Sequence, residues 1–545
     1  MSEADWTACL TEQGIEPAEI SSAQQAAQEL AAQIETLSTD PFTSVDPASH
    51  QVALARQVSL DSFVANDVAA PASSDDAPRT IEEMAAALSS GAISAVELAE
   101  QGLARLAQGH ASLNILARAE TESALAHARA ADARIAALKS LGDRPPPLMG
   151  IPTAHKDLYM RAGWLMEAGS AILKGNRASI TSSAVTALDR AGMTDLGRVN
   201  TVEFALGPDG RNVHTGDVRN PWDPTRVTGG SSSASGAAVA SGAVPAALGS
   251  DTGGSVRLPA AACGVVGVKP TAGLIGRSGV WPLSGSLDTV GPLTQTVRDA
   301  ALMLQAMSGP DPLDPQSVTR PPKDLLAGIE GGVHGARVAL IMRPFFDPVT
   351  PEIGAAVEAA AALLAGEGAE LRQVDLPELG ILNQLNIAIT NAEGATQHSP
   401  FMATRAAEYG RETLGRLMSG LFLPATTYLA AQTRRAAWLD WVLEKAFGDN
   451  QILMTPVWPC DPPLIAGDTA ESYHARVQFL GHCTRPFNYL GLPSVVLPCA
   501  LSAAGLPIAI QLIGRPFSED TLLRTARAYE RARAFREDHR PAVLV

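Results

Sequence analysis

Apolar positions along the chain follow a helical rhythm first and a mixed one later. Ala23, Ala27, Leu30, Ile34 and Leu37 recur at steps of four and three, the spacing of one helix face, and Ser22 with Gln25 three residues on has the form of a capping box. This predicts an amphipathic helix over 22–37, whose stripe packs on its own domain or forms a dimer contact. The polar, proline-rich AAPASSDDAP at 69–78 predicts a linker. The chain therefore divides into a helical extension with linker over 1–75 and a main domain over 76–545 that begins in earnest near Arg79. Thr80 with Glu83, and Ser94 with Glu97, are two further capping boxes, and alanine- and leucine-rich helix continues to about Ala137.

From PLMGIPTAHKD onward short apolar runs alternate with alanine-rich segments. AVTALDRAGM precedes TDLGRVN, and AAVASGAVPAALGSD precedes CGVVGVKPT. This alternation predicts an α/β fold around a mixed or parallel sheet. A helical stretch from about Pro351 to Lys445 interrupts it before strands resume at QILMTPVWP and LPSVVLPCALSAAGLPIAIQLIG. No repeat of solenoid or propeller period is present.

Composition narrows the class. With 545 residues, 46% of them apolar, the chain buries a large core. Its 41 Lys and Arg against 57 Asp and Glu give a net charge of −16, which lacks the basic footprint of a nucleic-acid binder and suits a small neutral or cationic partner. Five cysteines without a CxxC pair argue against a disulfide framework and for buried thiols. MSEADWTACL has no secretory pattern, and the longest uncharged run, Pro486 to Gly514, is broken by Pro493, Pro498 and Pro507. The expectation is a soluble, cytoplasmic protein with no nucleic-acid or membrane partner.

Familiar catalytic spacings are missing: there is no HExxH, GxGxxG, Walker A lysine or GxSxG elbow. None of the ten histidines falls in a metal or triad motif, although sequence order alone does not exclude a spatial triad. Three segments remain: AHKDL around Lys156, TGGSSSASG around Ser231 and DTGGSVR around Ser255. A serine hydroxyl needs a base to act as a nucleophile, and a lysine serves if burial disfavours its ammonium form. Lys156 follows the apolar run LMGIPTA, which reads as a buried strand, and the glycines beside Ser255 allow backbone N–H groups to converge on one point. Each segment also has a plain reading: a flexible loop, a tight turn, a solvated lysine.

Taken together the three resemble the amidase signature family, with its GGSSGGS-type stretch, D-x-GGS-x-R about two dozen residues on, and an upstream KD lysine. Here Ser231 and Ser255 are 24 residues apart, and Lys156 and Ser231 are 75 apart. The likeness extends through RNPWDPTRVTGG, LPAAACGVVGVKPTAGLI, GSLDTVGPLTQTVRDAALML, RPFNYLGLPSVVLP and GLPIAIQLIGRPF, roughly residues 80 to 535. It implies a large mixed β-sheet core covered by helices on both faces. It also implies a Ser-cisSer-Lys triad: Ser255 as nucleophile, Ser231 as a bridging serine beside a cis peptide bond, and neutral Lys156 as base. The backbone N–H groups of Thr252, Gly253, Gly254 and Ser255 would form the oxyanion hole, and Gly230, Ser232, Asp251, Arg257, Phe204 and Trp281 would bind substrate or buttress the site. No cofactor or metal is implied. Where the family has GGSSGGS this chain has GGSSSAS, so a positive φ at Ser233 or Ala234 would be strained.

The resemblance implies an amidohydrolase acting on a small-molecule carboxamide, with aryl or acyl amides, anilides, esters and carbamates accessible to the same nucleophile, working alone or as a homodimer. Two alternatives stand beside it. One is the glutamine-amidase subunit of a tRNA-dependent amidotransferase, against which GLIGRSGVWPLSGSLDTVGP lacks SRYG- and ASSLDQ-type wording. The other is a non-catalytic binding protein on the same scaffold. Specificity is expected from the stretch 380–445, where Phe401, Phe422, Tyr428, Trp438 and Trp441 suggest an aryl or acyl group.

Overall fold

The computed structural model describes residues 1–36, 79–319, 323–466 and 478–545. Its centre is one mixed sheet of eleven strands: β1 Leu116–Ala119, β2 Pro152–Lys156, β3 Thr194–Val199, β4 Ala246–Asp251, β5 Val266–Lys269, β6 Thr289–Thr294, β7 Arg337–Ile341, β8 Glu370–Val374, β9 Ile452–Pro456, β10 Ser494–Leu501 and β11 Pro507–Gly514. They lie in the order β1-β3-β2-β4-β6-β5-β10-β11-β9-β7-β8. β2 runs parallel to both β3 and β4, and β7 parallel to both β8 and β9, while β10 and β11 form an antiparallel pair.

Both sheet faces are covered, as successive side chains on the same strand show. Val338 and Leu340 enter one apolar cluster while Ala339 and Ile341 enter the other; Ile452 and Met454 point away from Leu453 in the same way. Strands buried on both faces read as continuous apolar runs, which is why β2, β9 and β11 were visible in the sequence. β1 and β8 were not. Both lie at the sheet edges, where LARA and the mostly exposed ELRQV carry no apolar run, and β8 falls inside the stretch expected to be helical.

The capping boxes at Thr80 and Ser94 form with both reciprocal bonds, at 3.0 Å each for Thr80 and Glu83 and at 3.1 and 2.8 Å for Ser94 and Glu97. The box expected at Ser22 does not begin its helix. That helix runs Pro17–Glu35, five residues earlier, because Pro17 suits the first helical position and Ser22 then lies inside the second turn. Ala23, Ala27 and Ile34 are buried as the stripe requires; Leu37 and the linker at 69–78 lie outside the described residues. The stripe packs on its own chain. Together with the helix Glu3–Glu12 it brings Trp6, Leu10, Ile15 and Ile20 against Met402, Leu414, Leu417 and Met418 of the helices Leu382–Arg405 and Arg411–Leu421. Gln13 ties the two layers, donating to Met402 O at 3.0 Å and accepting from Ala406 N at 2.7 Å. All five cysteines are free thiols. Among the described residues no helix is long and apolar enough to cross a membrane.

Candidate active site

The parallel pairing of β2 with β4 brings their C-terminal ends together, and with them Lys156 and Ser250. Lys156 Nζ donates to Ser250 Oγ at 3.0 Å and to Ser231 Oγ at 2.7 Å, Ser231 coming from the loop that enters the helix Ser233–Ala240. Lys156, with Ser231, is fully buried. Burial lowers the lysine pKa to about 7 against the upward pull of Asp288 and Asp251. Strand alternation turns His155, the preceding residue, the other way, to within 3.8 Å of Asp195.

The Gly230–Ser231 peptide bond is cis. Gly230 has no room for a side chain: a Cβ would fall 2.7 Å from Gly207 O and 2.8 Å from Gly210 N. Ser232 joins this loop to its neighbours, its N–H donating to Ser255 O at 3.2 Å and its Oγ accepting from Ser250 N at 3.2 Å. The strain expected at Ser233 and Ala234 is absent, because both lie in the helix and the left-handed turn falls on Gly229 at φ +73°.

Asp251 organises the loop that carries Ser255. Its carboxylate accepts from Gly254 N at 2.8 Å and Val256 N at 3.0 Å, and Arg257 clamps it through Nε and Nη2, both at 3.0 Å. Arg257 in turn donates to Thr484 O at 3.0 Å and to Gln511 and Asn488. Burial pushes the Asp251 carboxyl upward, but the Arg257 charge and hydrogen bonds outweigh it and hold the pKa well below the usual carboxylate range. Both residues are fully buried, which makes them buttresses of the turn. Arg257→Leu should therefore leave an uncompensated buried carboxylate and cost about 3–5 kcal/mol, seen as a lower urea midpoint with unchanged slope. A midpoint equal to wild type would show that the pair does not hold the loop.

The same bond bears on the expected oxyanion hole. The Gly254 N–H, one of the expected oxyanion-hole donors, donates to the Asp251 carboxylate at 2.8 Å. Asp288, which the sequence reading missed, fixes the loop from outside: it accepts from Thr252 Oγ1, from Leu283 N at 2.8 Å and from Ser284 N at 3.0 Å.

Ser255 is partly exposed and lines a pocket that opens to solvent. Leu206 and Leu283 supply apolar wall, Asn386 and Thr390 face it from the helix Leu382–Arg405, and Arg416 and Arg485 complete it. Phe204 and Trp281 lie behind this lining. Phe204, fully buried at φ +50°, packs on His398, Tyr409 and Trp281 with ring centroids 4.3, 5.7 and 5.9 Å away, and its neighbours Ala205 to Pro208 form the wall instead. The aromatics expected to shape the pocket are also elsewhere: Phe401 and Phe422 border the cluster under the N-terminal helices, Trp438 is core, with Trp441 against it, and Tyr428 donates to Glu393 at 2.9 Å. Asn386, Thr390 and Arg416 belong to no motif but fall in the 380–445 stretch to which specificity was assigned; Ser250 sits just before DTGGSVR and Arg485 opens RPFNYLGLPSVVLP, where neither was singled out.

A buried lysine on two serines at the carboxyl ends of parallel strands, beside a glycine-rich turn bearing a third serine, is the apparatus of a serine hydrolase set in an α/β sheet. The family model named Amidase matches residues 97–523, and the chain belongs to that family. It is 36% identical over 474 residues to a glutamyl-tRNA(Gln) amidotransferase subunit from Roseiflexus sp. (strain RS-1), spanning 83% of this chain and 96% of the relative. Among solved structures it is similar to one described as a vestigial protein complex revealing the evolutionary origins of an s-triazine catabolic enzyme, at 33% identity and TM-score 0.78 over 86% of this chain and 100% of the other. It is also similar to 6-aminohexanoate cyclic dimer hydrolase complexed with substrate, at 26% identity and TM-score 0.76 over 86% of this chain and 99% of that one. The chain is thus an enzyme of the carbon–nitrogen hydrolase class, and the non-catalytic alternative falls. The expectation of no nucleic-acid partner is overturned as well, because the Roseiflexus relative is by name a subunit of a tRNA-dependent enzyme. Net charge describes the whole surface and does not bear on what an assembly built around it handles.

Proposed function

We propose that the protein hydrolyses a carboxamide through Ser255, in the cytoplasm, with Lys156 as base and Ser231 as relay. The observation that carries this reading is the 2.7 Å bond from a fully buried lysine, its pKa lowered to about 7, to Ser231. Ser255 Oγ attacks the carbonyl carbon, its proton passes to Ser231, and the Ser231 proton passes to Lys156. The carbonyl oxygen takes its negative charge onto the N–H groups of Thr252, Gly253 and Ser255. The C–N bond then breaks, the proton returns through Ser231 to the leaving nitrogen, and water hydrolyses the acyl-enzyme. Ser255 makes no hydrogen bond to Ser231 in this structure; a rotation about its Cα–Cβ bond completes the relay with substrate in place.

A second reading shares this chemistry and differs in where the ammonia goes. The name of the Roseiflexus relative favours a glutamine-amidase subunit of a tRNA-dependent amidotransferase over a stand-alone enzyme. Assaying ammonia release separates the two. Turnover of simple amides by the purified chain alone supports the stand-alone enzyme; glutamine turnover that appears only with partner subunits and glutamyl-tRNA supports the second. No turnover under either condition, with Ser255 inert to a fluorophosphonate, would sink both.

A further inference from the structure

Each backbone carbonyl from Asp251 to Ser255 accepts a hydrogen bond, and three of the donors are buried side chains from distant segments. Asn488 Nδ2 donates to Asp251 O at 3.1 Å, Asn386 Nδ2 to Thr252 O at 3.2 Å and Thr484 Oγ1 to Gly253 O at 2.6 Å. Leu258 N donates to Gly254 O at 2.7 Å and Ser232 N to Ser255 O at 3.2 Å. These peptide units are trans and planar, so the N–H of each points opposite to its C=O, and holding one carbonyl aims the N–H of the next residue. Asn488 thus sets the direction of the Thr252 N–H, Asn386 that of Gly253 and Thr484 that of Gly254. The Gly254 N–H already has the Asp251 carboxylate as acceptor, at 2.8 Å. Asn488 also donates to Asp251 Oδ1 at 2.8 Å and accepts from Arg257, which makes it part of the clamp on that carboxylate. Asn386 differs from both. It comes from the helix Leu382–Arg405, lines the pocket beside Ser255, and lies against the residue it orients: a Cβ built on Gly253 would be 3.4 Å from Asn386 Oδ1.

We propose that Asn386 is a positioning residue for the reaction: by holding Thr252 O it aims the Gly253 N–H at the substrate's carbonyl oxygen, so that one wall of the pocket also sets the oxyanion hole. This rests on the reading of Ser255 as the nucleophile and of the Gly253 N–H as an oxyanion donor. Full negative charge reaches that oxygen only as Ser255 attacks. A donor misaimed by loss of Asn386 therefore slows the chemical step and leaves binding of the uncharged ground state nearly as it was.

The test uses the full chain and a short alkyl fluorophosphonate, and needs no knowledge of the natural amide. Ser255 Oγ displaces fluoride from phosphorus while the phosphoryl oxygen gathers charge where the amide oxygen would, and the inactivation kinetics separate kinact from KI. Asn386→Leu should lower kinact on the order of 10- to 100-fold, somewhat less than outright loss of an oxyanion donor, with KI within about twofold of wild type. Thr484→Val removes the donor from the adjacent carbonyl, but the N–H it aims is already held by Asp251, so kinact should stay within about threefold of wild type. Both variants leave a buried carbonyl without its donor, so both should lower the urea midpoint; only one should lose rate. The pH limb near 7 should not move in Asn386→Leu, since Lys156 keeps its partners. If the leucine variant does not fold, Asn386→Ser, whose side chain is too short to reach Thr252 O, is held to the same criteria. Equal falls in kinact for the two positions, a raised KI with kinact unchanged, or a displaced pH limb overturns the proposal and leaves the hydrolase reading in place. Failure of wild-type Ser255 to be labelled removes that reading and the proposal with it.

Discussion

Ser255→Ala should abolish turnover of every accepted amide, with kcat falling by a factor on the order of 10⁶, the scale seen when a hydrolase loses its nucleophilic serine. The fold should survive. Ser255 is partly exposed, its hydroxyl makes no hydrogen bond to Ser231, and Asp251 holds the turn through backbone N–H groups that an alanine at 255 leaves in place. The measurement is a progress curve at high enzyme concentration beside a urea melt, which should coincide with wild type. Fluorophosphonate should label wild-type Ser255 and leave Ser231 unmodified, because Ser231 is fully buried and already accepts from Lys156. A variant that keeps a rate within an order of magnitude of wild type, or labelling at Ser231, would reverse the roles given to the two serines.

How much of this was legible beforehand depended on whether a residue's neighbours in space were also its neighbours in sequence. Central strands announced themselves as apolar runs because both faces are buried; β1 and β8, at the edges, had no such pattern to show. Local hydrogen bonding predicted the caps at Thr80 and Ser94 but misled at Ser22, where Pro17 starts the helix first. The three catalytic candidates were found from motif order, and the structure places Lys156 and Ser231 in direct contact. The pocket is different. Asn386 and Arg416 reach it from two helices with only ordinary residues around each, and Arg485, although it opens RPFNYLGLPSVVLP, carries no local sign of facing a pocket, so no window of sequence contains the site. Net charge was a poor guide for the same reason. A chain at −16 suggests a neutral or cationic partner, yet the pocket beside Ser255 is lined by two arginines, since burial and topology, not the total, decide which charges converge.

Lys156→Ala should lower kcat/KM on the order of 10² to 10⁴-fold, the range of a general base, and Lys156→Arg should not restore it, because arginine keeps its proton. The pH profile identifies the group. Burial favours neutral lysine, so below about pH 7 Lys156 is protonated and cannot accept from Ser231; kcat/KM should rise tenfold per pH unit there and level off above. Two other buried bases compete for that limb, and the structure separates them from it. Burial pulls His155 down to about 3, against the pull of Asp195, so it is neutral throughout the range, and it faces away from the serines. Lys269 is also lowered to about 7 by burial, but its Nζ donates to Pro270 O at 2.9 Å and its charged neighbours are Arg257, Asp251, Glu519 and Arg435. Lys269→Met should therefore keep the limb near pH 7 even if it weakens the fold, whereas the residual activity of Lys156→Ala should lose it. A limb that stays in Lys156→Ala and vanishes in Lys269→Met would move the base from one end of the site to the other and end the relay through Ser231.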